Sequence, residues 1–295
     1  MERFPDQESC IDHLERVRWA GKSVCPHCSS QNIRRKREDG VERVGHWHCK
    51  ECKASFKVTH GTVFQGTQIP LQKWFMAIAL ILNAKKGISS YQLERDLDLN
   101  QRTAWFLLTR VRAEMADKTN SILLKGIIEA DETYIGGKPR KENKKEDREP
   151  APRGRGTSKT TVIGAVARGG EVVAQVVENL TGRTILDFIK KVVNIKESEL
   201  MTDKHHGYRQ FASMMKHEVI NHQVQYVEGD KHTNTIEGFW SLLKKAHYGT
   251  HHHYTTEYTP LYVAERCYVY NNRHLDTIFW RFINGSMKVA NKESC

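Results

Sequence analysis

Gly126-Ile127-Ile128-Glu129-Ala130-Asp131 reads as a β-strand that ends on a carboxylate. After it the pattern continues as strand, strand, helix, strand. Residues 161–167 and 171–177 are two apolar runs joined by Arg168-Gly169-Gly170, a hairpin turn. A helix over 183–193 follows, with Ile185, Phe188, Ile189 and Val192 on one face, and then the strand Glu199-Leu200-Met201-Thr202-Asp203. Short apolar stretches lie near Val219 and at 224–227, and two more helices are expected at about 233–246 and 260–270. The fold class is therefore α/β, of the α+β multidomain kind, with no internal repeat.

Two of these strands finish on an aspartate, Asp131 and Asp203, and the helix at 233–246 carries Glu237. Phosphodiester chemistry at neutral pH needs charge stabilisation at phosphorus and an activated hydroxyl. Two Mg²⁺ ions held by carboxylates supply both. Lys244 lies two helical turns after Glu237 on the same face, so a metal-bound carboxylate and a phosphate-bound lysine would sit side by side. Glu129 alternates with Asp131 and can share its face, while Glu132 reads as a neighbouring support group. A chain of this length holds many carboxylates, so pattern alone leaves this triad one reading among several.

Between the first two strands, residues 138–160 hold nine Lys/Arg, four Asp/Glu and three prolines with almost no apolar residue. This is expected to be a mobile basic loop that tracks DNA by charge.

N-terminal to this region the texture is helical. Apolar spacing over 69–83 predicts one helix, and residues 90–97 and 101–115 predict two more around the turn Leu97-Asp98-Leu99-Asn100, with Asn100 as N-cap. That pair has the arrangement of a helix-turn-helix, with Leu93, Leu97, Leu107, Leu108 and Val111 as its core. The second helix is expected to offer Arg102, Trp105, Thr109 and Arg112 to DNA. An ordinary helical hairpin is the plainer alternative.

Further upstream, Cys25-Pro26-His27-Cys28 and Cys49-Lys50-Glu51-Cys52 lie twenty residues apart. Two such knuckles complete a four-thiolate site for one structural Zn²⁺, a zinc ribbon with no open coordination position. A redox dithiol or unrelated buried cysteines are the duller readings. His27, His46 and His48 are possible competing ligands but read as surface or neighbouring groups. Arg34-Arg35-Lys36-Arg37 falls on the ribbon's hairpin and is expected to meet the DNA backbone. The other cysteines, Cys10, Cys267 and Cys295, are scattered.

The chain has 295 residues, 46 Lys+Arg against 35 Asp+Glu and a formal net charge of +11. That balance favours a polyanionic partner. No run of about 18 apolar residues occurs, so no membrane span is expected, and the N-terminal residues have no apolar signal region.

Three long motifs carry a family resemblance: Glu-Ala-Asp-Glu-Thr-Tyr-Ile-Gly-Gly-Lys at 129–138, Thr-Asp-Lys-His-His-Gly-Tyr at 202–208, and His-Thr-Asn-Thr-Ile-Glu-Gly-Phe-Trp-Ser-Leu-Leu-Lys at 232–244. With Tyr-Asn-Asn-Arg at 270–273, the sequence resembles bacterial insertion-sequence transposases that join an N-terminal zinc ribbon to an Asp-Asp-Glu domain, relatives of the Merlin elements. The resemblance implies a ribonuclease H-like fold and metal-dependent cleavage and strand transfer of DNA. It implies two Mg²⁺ (or Mn²⁺) on Asp131, Asp203 and Glu237, with Lys244 as the basic residue of the motif. Asn234, one turn before Glu237, is the alternative third ligand. The implied partners are double-stranded DNA (element ends and target) and further copies of the chain, as a homodimer or higher oligomer. The implied setting is the bacterial cytoplasm and nucleoid. The domains are then expected at 1–60 (zinc ribbon), 61–120 (helix-turn-helix) and 121–295 (catalytic). Two rival functions remain at this point: a nuclease or resolvase of the same fold that does not join DNA, and a DNA-binding regulator from a domesticated element.

Overall fold

The computed structural model describes residues 3–119, 121–136, 159–220 and 232–287. All but the last two residues of the basic loop expected at 138–160 lie outside these, as does the apolar stretch 224–227. The chain divides into two compact units. The first comprises Met1–Asn83, Ser90–Glu114 and Leu275–Cys295; the second comprises Ala84–Ser89 and Met115–His274.

The first unit begins with helix α1 (Gln7–Trp19), capped by Asp6. Strands β1 (Ile33–Glu38), β2 (Val41–Cys49) and β3 (Ser55–Lys57) form an antiparallel sheet in the order β1-β2-β3. Asp39 and Gly40 turn β1 into β2, both at positive φ (53° and 81°), as a two-residue hairpin requires. Glu15 of α1 ties the helix to the sheet, accepting from Arg35 and from Trp47 Nε1, each at 2.9 Å. Helices α2 (Leu71–Asn83), α3 (Ser90–Leu97) and α4 (Gln101–Thr119) follow. Asn100 caps α4, its Oδ1 accepting from Thr103 N at 2.8 Å. Leu93, Leu97, Leu107, Leu108 and Val111 are all buried, as the apolar spacing predicts.

The elements of the two domains expected at 1–60 and 61–120 fall, but for Ala84–Ser89 and the end of α4, in this one unit. The unit also takes in a last helix that the sequence reading did not foresee, α8 (Ile278–Ser286), whose Phe279 meets Phe75 of α2 at 5.8 Å. The stretch Leu275–Cys295 therefore groups with the N-terminal elements, whereas the expected division kept it in the catalytic domain. Its aromatic residues find partners only in three dimensions.

The second unit is a five-stranded mixed sheet, built from β4 (Leu124–Ile135), β5 (Thr160–Ala167), β6 (Val172–Val177), β7 (Val193–Thr202) and β8 (Lys216–Val219) in the order β6-β5-β4-β7-β8. β4, β5 and β6 are antiparallel neighbours, whereas β7 runs parallel to β4 and β8 parallel to β7. Helix α5 (Gly182–Val192) makes the crossover from β6 to β7. This is the mixed sheet that the ribonuclease H-like expectation requires. Period-two alternation sends Ile128 and Ala130 into a core with α5, Tyr208 and Phe211. On the other face, Ile135, Val162 and Val166 pack under α6 (Asn234–Lys245) and α7 (Thr259–Asn271) through Phe239, Trp240 and Val263.

Two details depart from the sequence reading. Asp131 does not end its strand: β4 runs on to Ile135, held by β5. And α6 continues without a break into a wider π-helical turn, Ala246–His251.

Candidate active site

On β4, Ala130 pairs with Thr202, the last residue of β7. Beyond that point β4 keeps β5 on one side and loses its parallel neighbour on the other. Asp131 is the next residue of β4, and Asp203 is the next residue after β7. The two aspartates thus fall together where the parallel pairing stops, the position at which open α/β sheets place ligands.

α6 brings the third acid. Glu129, two residues before Asp131 and fully buried, accepts from Thr235 N (2.8 Å), Ile236 N (3.0 Å) and Thr235 Oγ1 (2.9 Å). A carboxylate there satisfies the free amides of the helix start and complements its dipole. Arg168 donates to the same carboxylate at 2.6 Å and reaches His232 O at 2.7 Å, and His232 Nδ1 lies 3.2 Å from Glu129. Glu129 therefore sets where α6 begins, and so where Glu237 stands, one turn in.

Trp240 completes the link, its Nε1 donating to Asp131 Oδ2 at 3.0 Å. The indole lies against Gly164, the β5 partner of Asp131. A Cβ at Gly164 would stand 2.6 Å from the Trp240 ring, so only glycine lets the ring approach. Asp203 Oδ1 accepts from His205 N at 2.9 Å, and Glu237 Oε1 accepts from Thr233 Oγ1 at 3.1 Å.

The three acids feel one another. Asp131 is pushed up to about 6, chiefly by burial, with the charges of Asp203 and Glu237 adding to the shift; the N–H groups of Glu132 and Trp240 oppose it. Asp131 and Glu237 open into a cleft of about 840 Å³ that is also lined by Glu132, Ser241, Lys244, Lys245, Tyr248 and Lys86. Asn234, the first residue of α6, is exposed and is not among the cleft residues.

The four cysteines of the ribbon form a second candidate metal site. Sγ–Sγ distances are 3.6 Å for both Cys25–Cys52 and Cys28–Cys49. A tetrahedral zinc with Zn–S of about 2.3 Å places its sulfurs about 3.8 Å apart, so the donor set fits. Among the described residues this is the one group of three or more His, Cys, Asp or Glu whose ligand atoms all lie within 4.8 Å of one another. The acids of the cleft are less tightly drawn. His27, His46 and His48 stand outside the thiol cluster: His27 packs on His60 at 4.7 Å, His46 on the Val44 carbonyl and His48 on Ser55.

Residues 123–271, half of the chain, match the family of ISXO2-like transposase domains, and residues 5–55 match the transposase zinc-ribbon domain. The chain belongs to that transposase family. An uncharacterised protein of the transposable element ISH50 from Halobacterium salinarum is 28% identical over 257 residues, covering 82% of this transposase and 83% of that protein. Among solved structures, the Mos1 strand transfer complex is similar at 14% identity, covering 72% of this chain and 74% of that one, with a TM-score of 0.29. A pre-cleavage Mos1 transpososome gives 14%, 73%, 76% and 0.28. Both superpositions are loose, and the site rests on this chain's own geometry.

The residues expected to touch DNA divide. Arg102 is exposed on the transposase's α4 and Trp105 and Thr109 are half-buried, but Arg112 is only 2% exposed. Arg112 is a core residue here, so its expected DNA contact is withdrawn: it falls on the inward face of α4, four residues after Leu108 and three before Met115, both buried. On β1, Arg35 is taken up by Glu15 and stacks over Trp47 at 5.3 Å, and Arg37 pairs with Glu42 at 3.1 Å. Arg34 and Lys36 carry no ion pair among the described residues.

Sequence reasoning passed over Gly164 and Trp240 and gave Glu129 no role. The signals were present: a glycine inside an apolar strand marks a close approach, and a buried-strand acid two residues from a candidate ligand needs partners.

Proposed function

We propose that the cleft at Asp131, Asp203 and Glu237 is where this transposase cuts element ends and joins them to target DNA. The observation that carries this is geometric: Asp131 and Asp203 directly follow the last β4–β7 pair, Ala130 and Thr202, and Glu237 lines the same cleft as Asp131. Their hard oxygen donors fit Mg²⁺. Two Mg²⁺ ions, when bound, would supply charge stabilisation at phosphorus and a hydroxide at neutral pH.

The chain's own groups do the positioning. Trp240 Nε1 holds Asp131, His205 N holds Asp203 and Thr233 Oγ1 holds Glu237. Glu237 rather than Asn234 is the third ligand, because Glu237 shares the cleft with Asp131. Lys244 and Lys245 follow on α6 and engage DNA phosphates beside the acids. In the first displacement water attacks phosphorus and a 3′ hydroxyl leaves; in the second that hydroxyl attacks a target phosphodiester, and the target strand's own 3′ oxygen leaves as a hydroxyl. Both are in-line transfers between the same kinds of oxygen, so one cleft serves both. The ribbon, with Zn²⁺ on Cys25, Cys28, Cys49 and Cys52, and α4, through Arg102 and Trp105, bind the duplex, and two or more copies act on the paired ends.

The test is incubation of purified chain with a duplex carrying the element end, a target plasmid and Mg²⁺. Nicked and joined products are expected. Cleavage without joining would reduce the function to a nuclease, and binding without cleavage would reduce it to a regulator.

A further inference from the structure

Where the chain passes from α2 to α3, the six residues Ala84–Ser89 belong to the second unit although both flanking helices belong to the first. A clamp from α7 explains this. Arg266, 4% exposed, donates through Nη1 to the carbonyls of Ala84 (3.1 Å) and Lys85 (2.7 Å). Its Nη2 bonds the carboxylate of the adjacent Glu265, which is 1% exposed. Two backbone carbonyls in the loop therefore supply hydrogen bonds to a buried charge, which would be costly to leave unmet.

Gly87 closes the turn, donating to Ala84 O at 3.0 Å with φ at +78°. A Cβ at this position would stand 2.7 Å from His251 Nε2 and 3.3 Å from Glu265 Oε1. The loop thus packs against α7 and His251 too closely for any side chain at position 87. His251 ends the π-helical turn that follows Lys245, so the loop is tied to the same wall of the cleft.

The side chain this loop offers is Lys86. It is exposed, makes no ion pair among the described residues, and lines the cleft with Asp131, Glu237, Lys244 and Lys245. A flexible ammonium on a rigid loop, beside carboxylates it does not pair with, is suited to a mobile anion.

We propose that Lys86 is a phosphate-binding residue of the acidic cleft, presented by the Arg266–Gly87 clamp to the backbone of the DNA strand that lies across Asp131 and Glu237. This rests on the reading of the cleft as the cutting site. It means that the cleft draws one of its cations from a segment that lies, in sequence, among the helices of the DNA-binding unit.

The test uses the full chain and a duplex oligonucleotide carrying the element end. Binding is titrated over a range of salt without Mg²⁺, and cleavage is followed with Mg²⁺ at subsaturating DNA. Lys86→Ala should make the dependence of log K on log salt shallower by about 0.7–0.9, one phosphate's worth, and slow cleavage about tenfold. Lys86→Arg should retain both properties. Gly87→Ala keeps the charge but unseats the loop, and should behave like Lys86→Ala. Melting temperatures of the two Lys86 variants should match the parent, since Lys86 is exposed. A wild-type salt slope and cleavage rate in Lys86→Ala would overturn the proposal, and so would Lys86→Arg failing as badly as Lys86→Ala. Asp131→Asn run in parallel separates the two layers. If it still cleaves, the reading of the cleft fails. If it is dead while Lys86→Ala is unaffected, only the role of Lys86 fails.

Discussion

The thiols of the ribbon come from two turns of one hairpin region, and their sulfurs meet at 3.6 Å. The acids of the cleft come from a strand interior, a strand end and a helix, and are not so tightly gathered. In each knuckle the residue after the second cysteine takes a left-handed conformation, Ser29 at φ 58° and Lys53 at φ 60°. At Cys49 burial pushes the thiol up, but the backbone amides of Cys52 and Glu51 and the thiols of Cys28 and Cys52 together bring it down to about 7. Neutral thiols can be packed together before any ion arrives. Carboxylates resist this: burial raises Asp131 most, and the charges of Asp203 and Glu237 add to it. A closed site is therefore shaped by local turns, and an open one by the packing of distant elements.

The largest expected effect concerns the closed site. Chelation of zinc, or Cys49→Ser, should unfold the ribbon, on the scale of about 10 kcal/mol known for structural zinc in small domains. Metal content and Trp47 fluorescence would report the loss. End binding should disappear with it, while the circular dichroism of the second unit persists. Unchanged fluorescence after metal removal would show that the hairpin, and not the ion, holds the thiols.

At the open site, Asp131→Asn, Asp203→Asn or Glu237→Gln should each slow Mg²⁺-dependent cleavage by about a thousandfold or more, equivalent to about 4 kcal/mol at the transition state. End binding should barely change. Asn234→Ala should do much less harm than Glu237→Gln, and the reverse order would transfer the third ligand to Asn234.

Glu129→Ala probes the link between the two strands and α6. Removing it leaves Arg168 and the α6 amides without their carboxylate, so stability should fall by about 3 kcal/mol in a urea melt. Glu129→Gln should lose less stability and still slow cleavage, because Glu237 would no longer be held in place. Wild-type cleavage in Glu129→Gln would show that Trp240 alone aligns the helix.

A smaller effect follows from pH. Asp131 titrates at about 6 in the fold against an ordinary 3.8. An acid with a raised folded pKa costs stability when ionised. That cost is fully present above about pH 6 and is lost as pH falls to the ordinary value. In metal-free buffer Asp131→Asn should therefore melt higher than the parent at about pH 7.5 and converge with it near pH 4. Cleavage by the parent should weaken below about pH 6, as protons compete with Mg²⁺. Equal melting temperatures across this range would argue that the cleft is more hydrated than its burial suggests.

The smallest effect separates two arginines of α4. Arg102→Ala should reduce the salt slope of end binding by about one without altering the melt. Arg112→Ala should do the opposite, since Arg112 is buried.

Much of this was readable in advance. Matched cysteine pairs predict the ribbon, because a knuckle is a property of four adjacent residues. The boundaries of α3 follow from the residues themselves, as does the N-cap at Asn100, because propensity and capping act locally. The inward set Leu93, Leu97, Leu107, Leu108 and Val111 follows from the 3.6-residue period. The chemical type of the acids, and their strand and helix settings, also came from pattern and family motif.

What the tertiary structure alone decided is a matter of long-range contact. That Asp131 lies inside β4 rather than at its end depends on how far β5 pairs with it, not on residues near Asp131. Glu129 acquires its role from an α6 more than a hundred residues away. Gly164 is needed only because Trp240 lies on it, and Arg112 is buried only because α4 is packed on its inner face. Lys86 enters the cleft because Arg266 and Gly87 seat its loop. Amino-acid sequence encodes local geometry through steric and capping preferences between neighbours. Which buried charge meets which partner is set by the packing of elements that sequence distance does not order.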